Sequence, residues 1–400
     1  MGACFSLQEQ DVTQIEDKMS PIYFDHGATT PIRREVIEAM QPYFSDLFGN
    51  ASNIHGFGQK ARKDLEDARK QVAEIIGSGF GEIIFTSGGT ESDNLAVQGV
   101  VRAHKGSGGH IVTSSVEHPA VLNTCRYLER QGVAVDYLPV DTDGIVDPQA
   151  VESAIRPDTA IVSIMLANNE VGTLQPIREI GAITRARGIP LHTDAVQAMG
   201  KIPINVDDLN VDLLSVSAHK IYGPKGIGFL YVREGTPFAP LFYGGHHEQG
   251  YRPGTENVAA IIGLTKAMEL ADAERDDFFA TMHRLRSLLE TGIREKIKDV
   301  RFNGHTDQRL PNISNVSFQS VDGETLLYVL DSQNIAVSTG AACSSGSTDV
   351  SHVLTAMGLS PELAGGSLRF SLGRLNDEND IRYVLDVLPD MIDGLRLGAS

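Results

Sequence analysis

Ser215-Val216-Ser217-Ala218-His219-Lys220 leads into the glycine-rich run Tyr222-Gly223-Pro224-Lys225-Gly226-Ile227-Gly228. An apolar strand pattern through Val211, Leu213, Leu214 and Val216 thus delivers a lysine to a turn that cannot continue as strand. Upstream, the run Ile189-Pro190-Leu191-His192-Thr193 ends in Asp194. Read singly, Lys220 is a solvated lysine at a strand end and Asp194 a helix-capping aspartate. Read together, they suit pyridoxal phosphate, which needs an amine for a Schiff base and a carboxylate to keep its ring nitrogen protonated.

Around this pair the chain alternates short β-rich runs with helical patterns. Strands are expected at 82–86, 110–113, 133–138, 160–166, 189–193, 211–216 and 227–232, with helices such as 91–104 and 177–187 between them. That rhythm predicts an α/β domain whose mostly parallel central sheet is flanked by helices. Ligands of such sheets bind beyond the carboxyl ends of the strands, where the candidate residues fall. After residue 257 long helical patterns (257–273, 280–298) give way to short strands (313–318, 368–372). A last helix carries Ile381, Val384, Leu385 and Leu388 at helical spacing. The expected division is a large domain over 30–272 and a smaller α+β domain over 21–29 and 273–400, with residues 1–20 a disordered polar extension.

Composition narrows the function classes. Of 400 residues, 34 are Lys or Arg and 52 Asp or Glu, a formal charge of −18. Such an exterior argues against nucleic-acid binding and requires a locally positive pocket for an anionic cofactor. No apolar window is long enough for a membrane span, and the first residues lack a secretory pattern. Cys4, Cys125 and Cys343 are too scattered for a disulfide framework or zinc site, which fits a reducing cytoplasm. Met1-Gly2-Ala3-Cys4 matches a loose lipidation pattern, but a polar extension is the preferred reading.

Further candidates lie along the chain. Ser87-Gly88-Gly89-Thr90-Glu91 joins a strand to a helix and lets backbone N–H groups meet an anion, although a plain turn reads the same way. It is not a nucleotide-binding loop. His118, before Pro119, could stack on a flat ring and move protons, or simply start a helix. Asn168, in Asn168-Asn169-Glu170-Val171-Gly172, could reach a phenolic oxygen or only shape a turn. Gln197 follows Asp194 closely. Cys343 sits among small residues (Gly340-Ala341-Ala342-Cys343-Ser344-Ser345-Gly346), where a loop could swing and a nearby base or cation could activate the thiol. Arg369, between Leu368 and Phe370, suits bidentate capture of a carboxylate or else faces solvent. His246 and His247 have no partners at metal-ligand spacing, so no metal is expected; Thr255 is a plausible helix cap or phosphate contact.

In combination these motifs resemble the group I, NifS/IscS-like cysteine desulfurases, in the class V aminotransferase branch of fold-type I pyridoxal-phosphate enzymes. The resemblance runs from about Tyr23 to about Gly373 and rests on Ser-Gly-Gly-Thr-Glu-Ser-Asp-Asn, Glu-His-Pro-Ala-Val, Asn-Asn-Glu, Asp-Ala-Val-Gln, Ser-Ala-His-Lys and Arg-Phe-Ser-Leu-Gly-Arg. It implies Lys220 as the Schiff-base lysine, Asp194 as partner of the pyridine nitrogen, and His118 as a stacking and proton-transfer residue. Asn168 and Gln197 would meet the phenolic oxygen. Gly89, Thr90, Ser217 and His219 would hold the phosphate, joined by Thr255 from the second subunit of a homodimer. Arg369 and Asn168 would bind the carboxylate of L-cysteine. Cys343 would take the sulfur as a persulfide and pass it to an acceptor such as an iron–sulfur scaffold protein. The family's Ser-Gly-Ser-Ala-Cys loop reads Thr339-Gly340-Ala341-Ala342-Cys343 here, a modest departure. A selenocysteine lyase, an aminotransferase, and a catalytically silent sulfur-transfer scaffold are the alternatives.

Overall fold

Apolar strands buried on both sides need a cover on each face, and the chain supplies it with helices. The computed structural model describes residues 21–104, 109–339 and 350–398. In chain order the strands are β1 (Ile22–Tyr23), β2 (Ile83–Thr86), β3 (His110–Ser114), β4 (Ala134–Leu138), β5 (Thr159–Ser163) and β6 (Leu191–Asp194). They continue as β7 (Leu213–Ser217), β8 (Gly228–Val232), β9 (Val300–Asn303), β10 (Ile313–Phe318), β11 (Ile335–Ala336) and β12 (Ser367–Ser371). Seven of them form one sheet in the order β2-β8-β7-β6-β5-β3-β4. β8 runs antiparallel to both its neighbours, and the other pairings are parallel.

Neighbouring residues of one strand enter different cores. Phe85, Val112, Val162, Leu214 and Phe229 pack with the helices Gly56–Ile76 and Val258–Ala273 through Leu65, Val72, Leu264 and Met268. Ile84, Ile111, Ile161, Leu213 and Leu230 pack with Gly89–Ala103 and Pro119–Glu129 through Leu95, Val97, Val121 and Leu128. The alternation of side chains along a strand therefore gives this sheet a dry layer on each face. β5 ends at Ser163, short of the expected 166, yet its ladder goes on: Ile164 N donates to His192 O and Leu166 N to Asp194 O.

A separate core gathers around the antiparallel sheet β12-β10-β9. It contains Leu285, Leu289, Val316, Phe318, Leu326, Phe370, Ile381 and Leu388, joined by Ile22 and Phe24 from the other end of the chain. Gly292 lets the helices Arg275–Lys296 and Glu378–Gly398 approach closely, because a β-carbon there would run into Leu385. β12 places Arg369 on the central sheet's side, and β1 leads directly to Asp25, which pairs with it. Among the described residues no helix is long and apolar enough to cross a membrane.

Candidate active site

β6 and β7 set the floor of a cavity at their carboxyl ends. Asp194 is the last residue of β6 and pairs with Ser215 of β7. β7 ends at Ser217, and the single turn Ala218–Lys220 turns Lys220 back over the strand ends. The cavity measures about 300 Å³, and Gly89, Thr90, His118, Asp194, Gln197, Ser217, His219, Lys220 and Arg369 all line it. That volume suits a small cofactor with a small substrate.

Lys220 Nζ donates to the carbonyl oxygens of Gly27 and Ala28, 2.6 Å from each. Gln197 Nε2 donates to the same Gly27 oxygen at 2.9 Å. Asp194 Oδ1 accepts the Val196 N–H at 2.9 Å. His118 caps the helix Pro119–Glu129, its Nδ1 accepting the Ala120 N–H at 3.1 Å. In the neutral ring the proton therefore sits on Nε2. Burial holds His118 below the ordinary histidine range. His219, half-buried and near Lys220, Lys225 and Lys201, is pushed down to about 4, first by its partial burial.

Opposite this floor the helix Gly89–Ala103 opens toward the cavity from Gly88, whose φ is 146°. A β-carbon on Gly89 would come within 2.8 Å of Val196 Cγ2, so glycine is required for the close approach. The first N–H groups of a helix lack intrahelical acceptors and carry the positive end of its dipole, which suits a phosphate. On the far wall Arg369 is 4% exposed, donating from Nη1 to Asn169 O at 2.9 Å and from Nη2 to Asp25 Oδ1 at 2.7 Å.

Behind Asp194 lies an acidic group that motif reading did not single out. Asp93, one turn into the helix, offers an oxygen within 4.8 Å of both Asp194 and His118. Burial, followed by the nearby Asp194 charge, raises Asp93 well above the carboxylate range. Glu117, fully buried, is pushed up to about 8 by burial. The floor is thus short of positive charge in the isolated chain, and a cationic ring N–H at Asp194 would supply it. With the amine, the anion cradle and the arginine, the residues present fit pyridoxal phosphate.

The comparisons with known proteins agree with that fit. The class-V aminotransferase family profile matches residues 22–384. A protein named cysteine desulfurase IscS from Dictyoglomus turgidum is 52% identical, over 94% of this chain and 95% of that relative. Another of the same name, from Methanosarcina thermophila, is 51% identical over 94% and 93%. The chain belongs to the cysteine desulfurases of the class-V aminotransferase family. Among solved structures, a NifS-like protein superposes with a TM-score of 0.88 at 38% identity, covering 94% of this chain and all of that one. A structure described as SspA in complex with cysteine gives 0.79 at 40% identity, covering 88% and 98%. As a member of that family the desulfurase is a pyridoxal-phosphate enzyme.

The structure redistributes some of the sequence-based candidates. Asn168 was expected at the cofactor and the substrate carboxylate. Its amide is instead held inside the turn: Nδ2 donates to Val116 O at 3.0 Å, while Oδ1 accepts from Glu170 N and Val171 N at 2.8 and 3.0 Å. Asn169 lines the cavity in its place, and the repeated Asn-Asn was the only signal available for choosing between them. Thr255 is exposed and does not line this chain's cavity. His247 braces the segment before it, Nδ1 accepting from Gly254 N at 3.4 Å. Cys125 is buried and burial pushes its thiol up to about 12, an inert core residue.

Cys343 lies outside the described residues, and the described residues on either side of its segment are each held by a contact, one of them to the cavity-lining Arg369. Ser338 forms a bridge with Arg369, and Ser351 Oγ donates to Glu170 Oε2 at 2.5 Å.

Proposed function

We propose that this desulfurase converts L-cysteine to L-alanine, with Lys220, Asp194, Arg369 and Cys343 carrying the chemistry. The observation that supports this reading best is a single cavity holding a lysine amine over a buried carboxylate, walled by a buried arginine. Pyridoxal phosphate, when bound, supplies an electron sink that stabilises negative charge on the substrate carbons. Asp194 holds the ring's N–H, and His118 lies over the same floor with its proton on Nε2. The helix start at Gly89–Thr90, with Ser217 and His219, receives the phosphate. Lys220 would anchor the cofactor, and its Nζ, at the same place, would accept and return a proton.

Arg369 binds the substrate carboxylate, and Asn169 rather than Asn168 assists it. The Cys343 thiolate attacks the substrate sulfur: a sulfur–sulfur bond forms as the Cβ–S bond breaks. Cβ then takes a proton and leaves as alanine, while the sulfur stays on Cys343 as a persulfide. A protein acceptor, such as an iron–sulfur scaffold, or a thiolation system takes that sulfur in the cytoplasm.

A homodimer completes the site, with Thr255 of one subunit serving the phosphate of the other. Support comes from exposed apolar residues on two segments, Phe44, Phe48, Ile54 and Phe57 on one and Phe242 and Tyr243 on the other. Ser52 Oγ and His247 Nε2, 3.3 Å apart, tie the two segments together.

The deciding assay measures alanine and sulfide from L-cysteine with pyridoxal phosphate and a thiol reductant. Equimolar products from the wild type and loss of nearly all turnover in Cys343→Ala are expected. Equal turnover in both would move the activity to a lyase or aminotransferase. A protein that binds no cofactor would return the silent scaffold.

A further inference from the structure

Four residues after Gln197 stands a second lysine that the reaction above does not use. Lys201 is 4% exposed. Among the described residues its amine donates only to Gln197, to the backbone oxygen at 2.6 Å and to side-chain Oε1 at 3.4 Å. A buried amine without a carboxylate partner is costly, so a role for it is worth seeking. Burial and the charge of Lys220 push Lys201 down to about 7. Lys201 and Lys220 line one small cavity beside the main one, together with His26, Tyr222 and Asn312.

The geometry around Gln197 is one-directional. Its Nε2 donates to Gly27 O at 2.9 Å, the oxygen that also accepts from Lys220 Nζ at 2.6 Å. Its Oε1 accepts from Lys201, whose ammonium form can only donate there. Rotating the amide by half a turn would set an N–H against the Lys201 amine and an oxygen against the Gly27 carbonyl. Lys201 and Gly27 thus lock the amide with its NH₂ end toward the cavity that Gln197 lines. The charged form of Lys201 can only donate; in the neutral form the amine still donates to Oε1, and the Gly27 carbonyl, which can only accept, keeps the NH₂ end in place.

We propose that Lys201 is a positioning residue for the cofactor, holding Gln197 so that its NH₂ presents a donor to the ring's phenolic oxygen and thereby lowers the proton affinity of the Schiff-base nitrogen of Lys220. This rests on the pyridoxal-phosphate reading of the cavity. A donor to the phenolic oxygen stabilises most the form in which that oxygen bears the greater negative charge, which is the form with an unprotonated nitrogen. Losing the donor therefore raises the nitrogen's pKa. The groups facing this pair of amines are His26, His118, Asp194 and His219, with Arg33, Glu274 and Arg374 across the small cavity. All of them are retained in the variants below.

The experiment is a pH titration of the holoenzyme's visible absorption band in wild type, Lys201→Met, Lys201→Gln, Gln197→Ala and the Gln197→Ala/Lys201→Met double variant. Cofactor content and melting temperature are measured on each. Lys201→Met is expected to move the midpoint upward by about one pH unit, roughly tenfold in proton affinity. Lys201→Gln, uncharged but still able to donate to Oε1, is expected to stay near wild type. The double variant is expected to shift no further than Gln197→Ala alone.

An unchanged midpoint in cofactor-loaded Lys201→Met overturns the proposal. So does a shift in Lys201→Gln as large as in Lys201→Met, which would assign the effect to charge. If Lys201→Met does not fold, Lys201→Gln against Gln197→Ala decides: the first must stay and the second must move. A wild type without any visible band would remove the cofactor reading itself, a result distinct from these.

Discussion

Four hydrogen bonds converge on the side chain of Asn168, from or to Val116, Met165, Glu170 and Val171. Replacing it with alanine leaves buried backbone groups without partners, so Asn168→Ala is expected to cost about 2–3 kcal/mol, read from urea unfolding. Asn169→Ala is expected to change stability by less than about 0.5 kcal/mol while raising the KM for cysteine roughly tenfold. The reverse pattern would restore Asn168 to the substrate. This pair also marks how far motifs carry: Asp194 closes β6, His118 opens a helix and Lys220 ends the turn after β7, whereas Gln197 in a turn and Arg369 in mid-strand were singled out by their neighbours in sequence. Two adjacent asparagines differ only in which way the turn points them, and that is decided by packing. Glu117 escaped notice for a related reason, since its side chain turns inward to meet Ser114 Oγ and Met165 N at 2.7 and 2.9 Å. Its folded pKa is raised from 4.5 to about 8, so its full contribution to stability is present below 4.5 and is lost as pH rises toward 8. Glu117→Gln removes that titration, and its stability relative to wild type is expected to improve by on the order of 3 kcal/mol between pH 5 and pH 8. A pH-independent difference would show that Glu117 is ionised throughout.

At the scale of elements, the strands of the large sheet were readable as short β-rich runs, and most fall within a few residues of their expected places. The helix Gly56–Ile76 was not anticipated. Its buried stripe is thin and rich in alanine (Ala61, Leu65, Ala68, Val72, Ile76), and dense charge on the outer face conceals the period. β1 and β11 have two residues each, too few for any pattern to register. What fixes Gly56–Ile76 is a contact no local reading supplies. Arg69 donates to Glu248 Oε1 and Oε2 at 2.6 and 2.7 Å and to Ile83 O at 2.6 Å, and Glu248 also accepts from Phe85 N at 2.8 Å. One buried ion pair thereby joins a helix, the edge strand β2 and a turn in which Glu248 and Gln249 hold φ of 45° and 58°. Removing one partner of such a pair strands the other charge, so Glu248→Ala is expected to destabilise the protein by about 3–5 kcal/mol. Chemical denaturation measures it, and a loss below about 1 kcal/mol would mean that water reaches Arg69 freely.

For the whole molecule, the outstanding matter is whether one chain contains a complete site. Ile54 at 90% and Tyr243 at 85% exposure, with Phe44, Phe48, Phe57 and Phe242 also exposed, are more bare apolar surface than a chain with net charge −18 needs to leave in water. The exposed Thr255 lies on the segment that follows Phe242 and Tyr243. It is tied back to its own chain by Arg252, whose Nε donates to Glu91 Oε1 at 2.9 Å in the first turn of the Gly89–Ala103 helix. That link sets the segment beside the first turn of that helix, and Thr255 is not among the residues lining the cavity, an arrangement suited to reaching across a two-fold axis. Mixing two inactive variants tests this. Lys220→Ala lacks the anchoring amine, and Thr255→Asp places a negative charge where the phosphate of the opposite subunit would sit. If Thr255 serves the neighbouring subunit, a mixed dimer has one doubly defective site and one intact site. Random reassociation makes half the dimers mixed, so the mixture is expected to regain about one quarter of wild-type activity. If Thr255 served its own chain, each site of the mixed dimer would keep one defect and no activity would return. Sedimentation analysis of the same mixture, with one variant carrying a mass tag, identifies the mixed dimer directly. Activity must then rise in proportion to that species.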